Sequence, residues 1–222
     1  MNLVRQEQLG FAGMERRRPG GTRRGSGRSS KVPHRTRPML ASRHPLHVTV
    51  RVEKGLESLR RRRTHRVVRG ALISGCDRFG MRLIHFSVMS NHLHLVCEAI
   101  DEVALTRGMK GLGVRIARRL NKFWGRMGRV VAHRYHARAL RTPREVRNAL
   151  NYLLNNAHRH GVHFAGPDPC SSGSWFDGWD PAPAGGHRAD WSPLPRARCW
   201  LLTIGWRRHG PIPLFVGSPI RR

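Results

Sequence analysis

His92 and His94 are separated by one apolar residue in the run Met89-Ser90-Asn91-His92-Leu93-His94-Leu95-Val96-Cys97. Side chains alternate between the two faces of a β-strand, so both imidazoles would project from one face while Leu93, Leu95 and Cys97 project from the other. Paired imidazoles are metal-ligand chemistry, although the same spacing also fits two surface histidines on a half-exposed strand. Further along, Tyr152 and Asn156 stand four residues apart in a stretch of helical periodicity and therefore share a helix face. Two imidazoles and one amide oxygen leave coordination positions open around a cation. A mixed nitrogen and oxygen set of this kind suits Mg²⁺ or Mn²⁺ with substrate oxygens in the vacant positions. His133, His136 and His158 keep a zinc site open as an alternative.

A phenol has a pKa of about 10, so Tyr152 becomes a nucleophile only when deprotonated or held in line with its target. Tyr135 is the other tyrosine of the chain, in a predicted strand with no ligand four residues on. His85, on the preceding predicted strand, is a candidate supporting residue for the histidine pair.

The chain of 222 residues carries 42 Lys+Arg against 13 Asp+Glu, a formal charge of +29. So large an excess implies a polyanionic partner: nucleic acid first, an anionic membrane surface second. No run of eighteen apolar residues occurs and the N-terminus lacks an apolar stretch, so neither a transmembrane helix nor a secretion signal is expected. The four cysteines form no C-x-x-C pair, which argues against a zinc ribbon or a disulfide framework. A cytoplasmic, nucleoid-associated protein with no membrane partner is the expectation. Arg115 and Arg119, on the basic face of a predicted helix, and Arg134 and Arg138, on a predicted strand, are candidate DNA contacts; a solvated face explains them as well.

The elements that must position these residues follow in order. Residues 1–43 are rich in Gly, Arg, Ser and Pro with no apolar period, which predicts a disordered basic arm. Leu46, Val48, Val50 and Val52 alternate with polar residues and predict a half-buried strand. A basic amphipathic helix is predicted over 56–79, ended by Gly80, and strands over 81–88 and 92–97 are joined by a turn at Ser90-Asn91. A helix over 104–126 contains Gly108, Gly111 and Gly113, which predicts irregular first turns or close packing. A further strand is predicted over 128–141. Thr142, Pro143 and Glu145 then form the N-terminal signature of a helix that Gly161 ends. Residues 44–163 are expected to form the catalytic domain and 164–222 an irregular Trp-, Gly- and Pro-rich extension. This order predicts an α+β fold: a ferredoxin-like antiparallel sheet with two helices on one face and a C-terminal tyrosine-bearing helix over the other.

Asn91-His92-Leu93-His94 resembles the His-hydrophobe-His motif of the HUH single-strand nucleases. Asn151-Tyr152-Leu153-Leu154-Asn155-Asn156 with His160-Gly161 resembles the tyrosine helix of the small single-tyrosine transposases, the insertion-sequence 200-like and REP-associated groups. The resemblance covers roughly residues 44–161. It implies Tyr152 as nucleophile, His92, His94 and Asn156 as metal ligands, and Mg²⁺ or Mn²⁺ as cofactor. It further implies single-stranded or hairpin DNA as partner, a 5′-phosphotyrosine intermediate, rejoining by the reverse reaction, and a monomer or homodimer. The basic arm and the Trp-rich extension depart from the simplest members. Two other readings fit the residues: a non-catalytic hairpin-binding relative, and a metal-dependent nuclease that activates water and uses Tyr152 only structurally.

Overall fold

A computed structural model describes residues 40–162, 166–183 and 192–214. The predicted arm up to residue 39 and Trp191 lie outside the described residues. A five-stranded antiparallel sheet has the order β2-β3-β4-β1-β5. Its strands are β1 (Leu46–Arg51), β2 (Asp77–Arg78), β3 (Met81–Val88), β4 (His92–Ala99) and β5 (His136–Ala139). The helices are α1 (Arg62–Ile73), α2 (Glu102–Phe123), α3 (Pro143–Leu154), α4 (Asn156–Arg159) and α5 (Trp200–Thr203). With β2 set aside as an edge hairpin, the order is the split β-α-β arrangement that the sequence predicts.

Both faces of the sheet are buried, by different partners. Leu46, Val48 and Val50 of β1 and Leu93, Leu95 and Cys97 of β4 form one apolar cluster with α1 and α2. Ile84 and Val96 belong to a second cluster with Val146, Leu150 and Leu153 of α3 and with Phe176, Trp179 and Trp206 further on. β3 serves both clusters because its register against β4 shifts between Leu83 and His85. The bulge turns Ile84 and His85 to the α3 side and returns Phe86 to the other.

Helix boundaries differ from the sequence expectation in identifiable ways. The helix predicted over 56–79 is only α1. Before it, Glu57 accepts hydrogen bonds from Thr64 Oγ1 at 2.7 Å and Trp124 Nε1 at 2.9 Å, tying the approach to α1 onto the end of α2. After it, Asp77 and Arg78 pair with β3 through a tight turn in which Phe79 and Gly80 both have positive φ, 57° and 77°. The strand predicted over 128–141 is only β5, preceded by a single bridge between Val52 and Val131. α2 is continuous through its glycines, capped by Asp101 accepting from the Ala104 amide at 2.6 Å. Gly108 is the close-packing point, since a Cβ there would lie 2.5 Å from Met81 Cβ. The α3 start has the predicted capping box, Thr142 and Glu145 bonding each other's backbone amides, with Pro143 in the first turn.

The Trp-rich segment packs onto the sheet. Asp168, wholly buried, takes both Arg60 guanidinium nitrogens at 2.8 Å, and Arg60 also donates to the Val88 carbonyl at 2.8 Å. Cys170 continues the anchor by accepting from the Val88 amide at 2.9 Å. Farther along, Glu98 of β4 accepts from the Arg198 and Cys199 amides, both at 2.8 Å, and from Arg82 at 3.0 Å. Asp168→Ala would leave Arg60 charged and largely buried without its carboxylate, a defect that costs about 3–5 kcal/mol. The expected outcome is a loss of that order in denaturant unfolding; a change under about 1 kcal/mol would mean the pair is effectively solvated.

Candidate functional site

The α3 side of the sheet carries the predicted site. On β1 the polar positions His47, Thr49 and Arg51 alternate with the buried aliphatics and stand opposite Val96, His94 and His92 of β4. His136 and Arg138 of β5 stand opposite Thr49 and His47. The period of two therefore collects imidazoles from neighbouring strands on one face. The Nε2 atoms of His92 and His94 converge to 3.0 Å. His92 Nδ1 lies 2.7 Å from Asn91 Oδ1. His94 Nδ1 lies 3.2 Å from His47 Nε2 and 3.3 Å from Thr49 Oγ1.

α3 brings Tyr152 over this group, its ring centroid 5.2 Å from that of His94 and 6.0 Å from that of His47, both edge-on. The helix does not run unbroken to Asn156. It is interrupted at Asn155 (φ −99°, ψ 9°), so Tyr152 and Asn156 lie on successive helical segments and not on one ideal face. Gly161 at φ 75° follows the second segment. Asn155 holds the break: its wholly buried side-chain amide donates to Asn151 Oδ1 at 2.9 Å and to the Pro213 carbonyl at 3.0 Å. Asn156 is wholly buried too, yet neither its Oδ1 nor its Nδ2 has a hydrogen-bond partner. A buried amide without partners costs about 1–3 kcal/mol, so such a group calls for a partner, a water or a bound cation.

The remaining sequence candidates separate cleanly. Arg138 shares the site face and is ion-paired to Glu145. Arg115 and Arg119 lie on α2 against Gly75 and Gly70, in the layer behind the sheet. Arg134 is exposed and lines a groove against α2 with Lys110 and Tyr135. Tyr135, 3.5 Å from Thr106 Oγ1 and packed on the α1–α2 cluster, lies on the wrong side of the sheet to rival Tyr152. His85 faces the α3 side but is sealed there by Ser172 Oγ at 3.2 Å and by Phe176. His47, Thr49 and Arg51 were not among the predicted site residues, although the alternation of Leu46 to Arg51 carries the signal for all three.

Burial is the main cause of lowered imidazole pKa values throughout the cluster. His94 is lowered to about 3, with His92, His47, His160 and Arg51 adding repulsion. His92 is lowered to about 4, helped by Arg51 and His160, and His47 to about 4, helped by Arg138 and His136. All three are therefore neutral near pH 7, the form that ligates cations. Among the described residues no group of three or more His, Cys, Asp and Glu side chains could hold a metal ion. A cation here needs the Asn156 amide or substrate oxygens besides the two imidazoles. Two nitrogens each about 2.1 Å from an octahedral ion lie roughly 3.0 Å apart, so the His92–His94 spacing fits such an ion.

By fold, this is a mixed helix and strand protein of the kind seen in a REP-associated tyrosine transposase bound to a REP hairpin. That likeness has a TM-score of 0.50 at 15% identity, over 73% of this chain and 96% of that one. Residues 41–143 match the family model for IS200-like transposases. A candidate transposase from Deinococcus radiodurans R1 also matches, with a TM-score of 0.38 at 16% identity, over 54% of this chain and 87% of that one. No curated protein matches the sequence.

The lowered imidazole pKa values have a definite consequence for stability. The folded state holds these histidines neutral where the unfolded chain, near pKa 6.5, takes up protons. Their contribution is thus complete above about pH 6.5 and is lost as pH falls towards 4 and 3. Denaturant unfolding from about pH 7 to about pH 4 is expected to show falling stability. A His47→Gln variant should lose less over that window than the wild type, and equal slopes would contradict a buried neutral His47.

Proposed function

We propose that this protein cleaves and rejoins single-stranded DNA, with Tyr152 as nucleophile and His92, His94 and Asn156 as ligands of Mg²⁺ or Mn²⁺. The observation that carries the reading is the edge-on approach of the Tyr152 ring to His94, whose Nε2 converges with that of His92 at 3.0 Å. The unpartnered Asn156 amide supports a third ligand, and the +29 charge supports a polyanionic substrate.

In this reading the metal supplies Lewis-acid polarisation of the scissile phosphate when bound. Tyr152 Oη loses its proton to solvent and forms a bond to phosphorus, while the bond from phosphorus to the 3′-oxygen breaks. That oxygen leaves with the electron pair and takes a proton, giving a 5′-phosphotyrosine and a free 3′-hydroxyl. The reverse attack by a 3′-hydroxyl rejoins the strand with no nucleotide hydrolysed. Arg51 and Arg138, on the same sheet face, hold flanking phosphates without reading sequence.

The test compares wild type with Tyr152→Phe on hairpin oligonucleotides carrying a single-stranded extension, with Mg²⁺ or Mn²⁺. The variant is expected to keep hairpin affinity within about threefold while the SDS-stable protein–DNA adduct disappears, together with at least a 10²-fold loss of cleavage. Undiminished cleavage would transfer the chemistry to activated water. Binding by wild type with no cleavage under either metal would favour a hairpin-binding role alone.

A further inference from the structure

Two imidazole Nε2 atoms can ligate one cation only if each ring carries its proton on Nδ1, and each Nδ1 then needs an acceptor. His92 has one from its own neighbour, with Asn91 Oδ1 at 2.7 Å from its Nδ1. His94 has no such neighbour on β4. Its Nδ1 meets β1 instead, with His47 Nε2 at 3.2 Å and Thr49 Oγ1 at 3.3 Å. β1 and β4 are paired in fixed register, Thr49 directly opposite His94 and His47 two pairs along, opposite Val96 on the same face, so these contacts are set by the sheet and not by a loop. His47 also lies edge-on to Tyr152 at 6.0 Å, so the rings of His47, His94 and Tyr152 are in mutual contact.

We infer that His47 is a positioning residue for the metal site: its Nε2 lone pair accepts the His94 Nδ1 proton, turning the His94 Nε2 lone pair toward His92. His47 must then carry its own proton on Nδ1. It is not a ligand, because the nitrogen that faces the site is spent on His94. Thr49 backs it as a second acceptor, so loss of His47 weakens the arrangement without abolishing it. The inference rests on the proposed metal-binding reading and adds a residue to it from a strand far away in sequence.

Mn²⁺ affinity, read by electron paramagnetic resonance on the full-length protein without DNA, tests the role separately from activity. His47→Phe keeps a ring against Tyr152 but offers no acceptor, whereas His47→Gln keeps a carbonyl acceptor. The Phe substitution is expected to weaken Mn²⁺ binding about 10-fold or more, the range typical of partners that orient ligating histidines, with the Gln substitution staying within about threefold of wild type. In the Mg²⁺-loaded state the His94 Nδ1 proton should be protected from solvent exchange in wild type and in the Gln variant, and be less protected in the Phe variant, where only Thr49 remains as acceptor. Equal Mn²⁺ affinity in wild type and the Phe variant would overturn the positioning role and leave the metal site standing. Equal losses in both variants would also overturn it, since packing alone would then explain the effect. A wild type that binds no Mn²⁺ would overturn the metal reading and, with it, this inference.

Discussion

A strand sends successive side chains to opposite faces, and β1 and β4 apply that rule with opposite chemistry on the two sides. Leu46, Val48, Val50, Leu93, Leu95 and Cys97 are driven into the α1–α2 cluster, together removing several hundred square ångströms of apolar surface from water. That burial fixes the register, because a slip of one residue would expose the whole set. Once it is fixed, His47, Thr49, His92 and His94 have nowhere to go but the other face. The candidate site is thus a by-product of core packing, held with the rigidity of the sheet. No loop has to be ordered to bring the two histidines together.

The second face cannot be left to solvent, because Ile84 and Val96 sit on it beside the histidines. α3 covers the apolar part through Val146, Leu150 and Leu153, and Phe176, Trp179 and Trp206 extend the cover. The Arg60–Asp168 and Glu98–Cys199 anchors hold the later segment to the sheet at two separated points. Arg147 of α3 adds a third tie by donating to the carbonyls of Gly210 and Pro211 at 3.0 and 2.6 Å. The segment thus contacts the tyrosine-bearing helix directly, and the Asn155 bond to the Pro213 carbonyl meets that helix at its break, three residues after Tyr152.

Much of this was legible in the sequence because it rests on local rules. The alternation in β1, the Thr142–Glu145 capping box and the hairpin around Ser90-Asn91 are each decided within a few residues. The joining of His92, His94 and Tyr152 was legible too, once the strand order left one face for the last helix. What stayed hidden depends on partners distant in the chain. His47 reads as an ordinary polar position until the pairing of β1 with β4 puts its ring on His94. The break at Asn155 is invisible in a helical period, since it is stabilised by a carbonyl at Pro213. The β3 bulge, likewise, redirects His85 into a seal with Ser172 that no periodicity indicates.

Charge gives the site its final constraint. Arg51 and Arg138 stand on the face that would receive DNA, and the same two charges help hold His92, His94 and His47 neutral. In most proteins an arginine beside a metal site works against it, because like charges repel the cation. Here the same repulsion also disfavours protons that compete for the imidazole nitrogens, and burial adds to it. A polyanionic strand laid across the arginines would then offset their repulsion of the cation while supplying oxygens for its open positions. If the proposed function holds, cation and DNA would bind with positive coupling at this face, each reducing the electrostatic cost of the other. In the proposed reading the basic residues would attract the substrate and keep the imidazoles unprotonated, and a protein of lower charge with the same two histidines would do each less well.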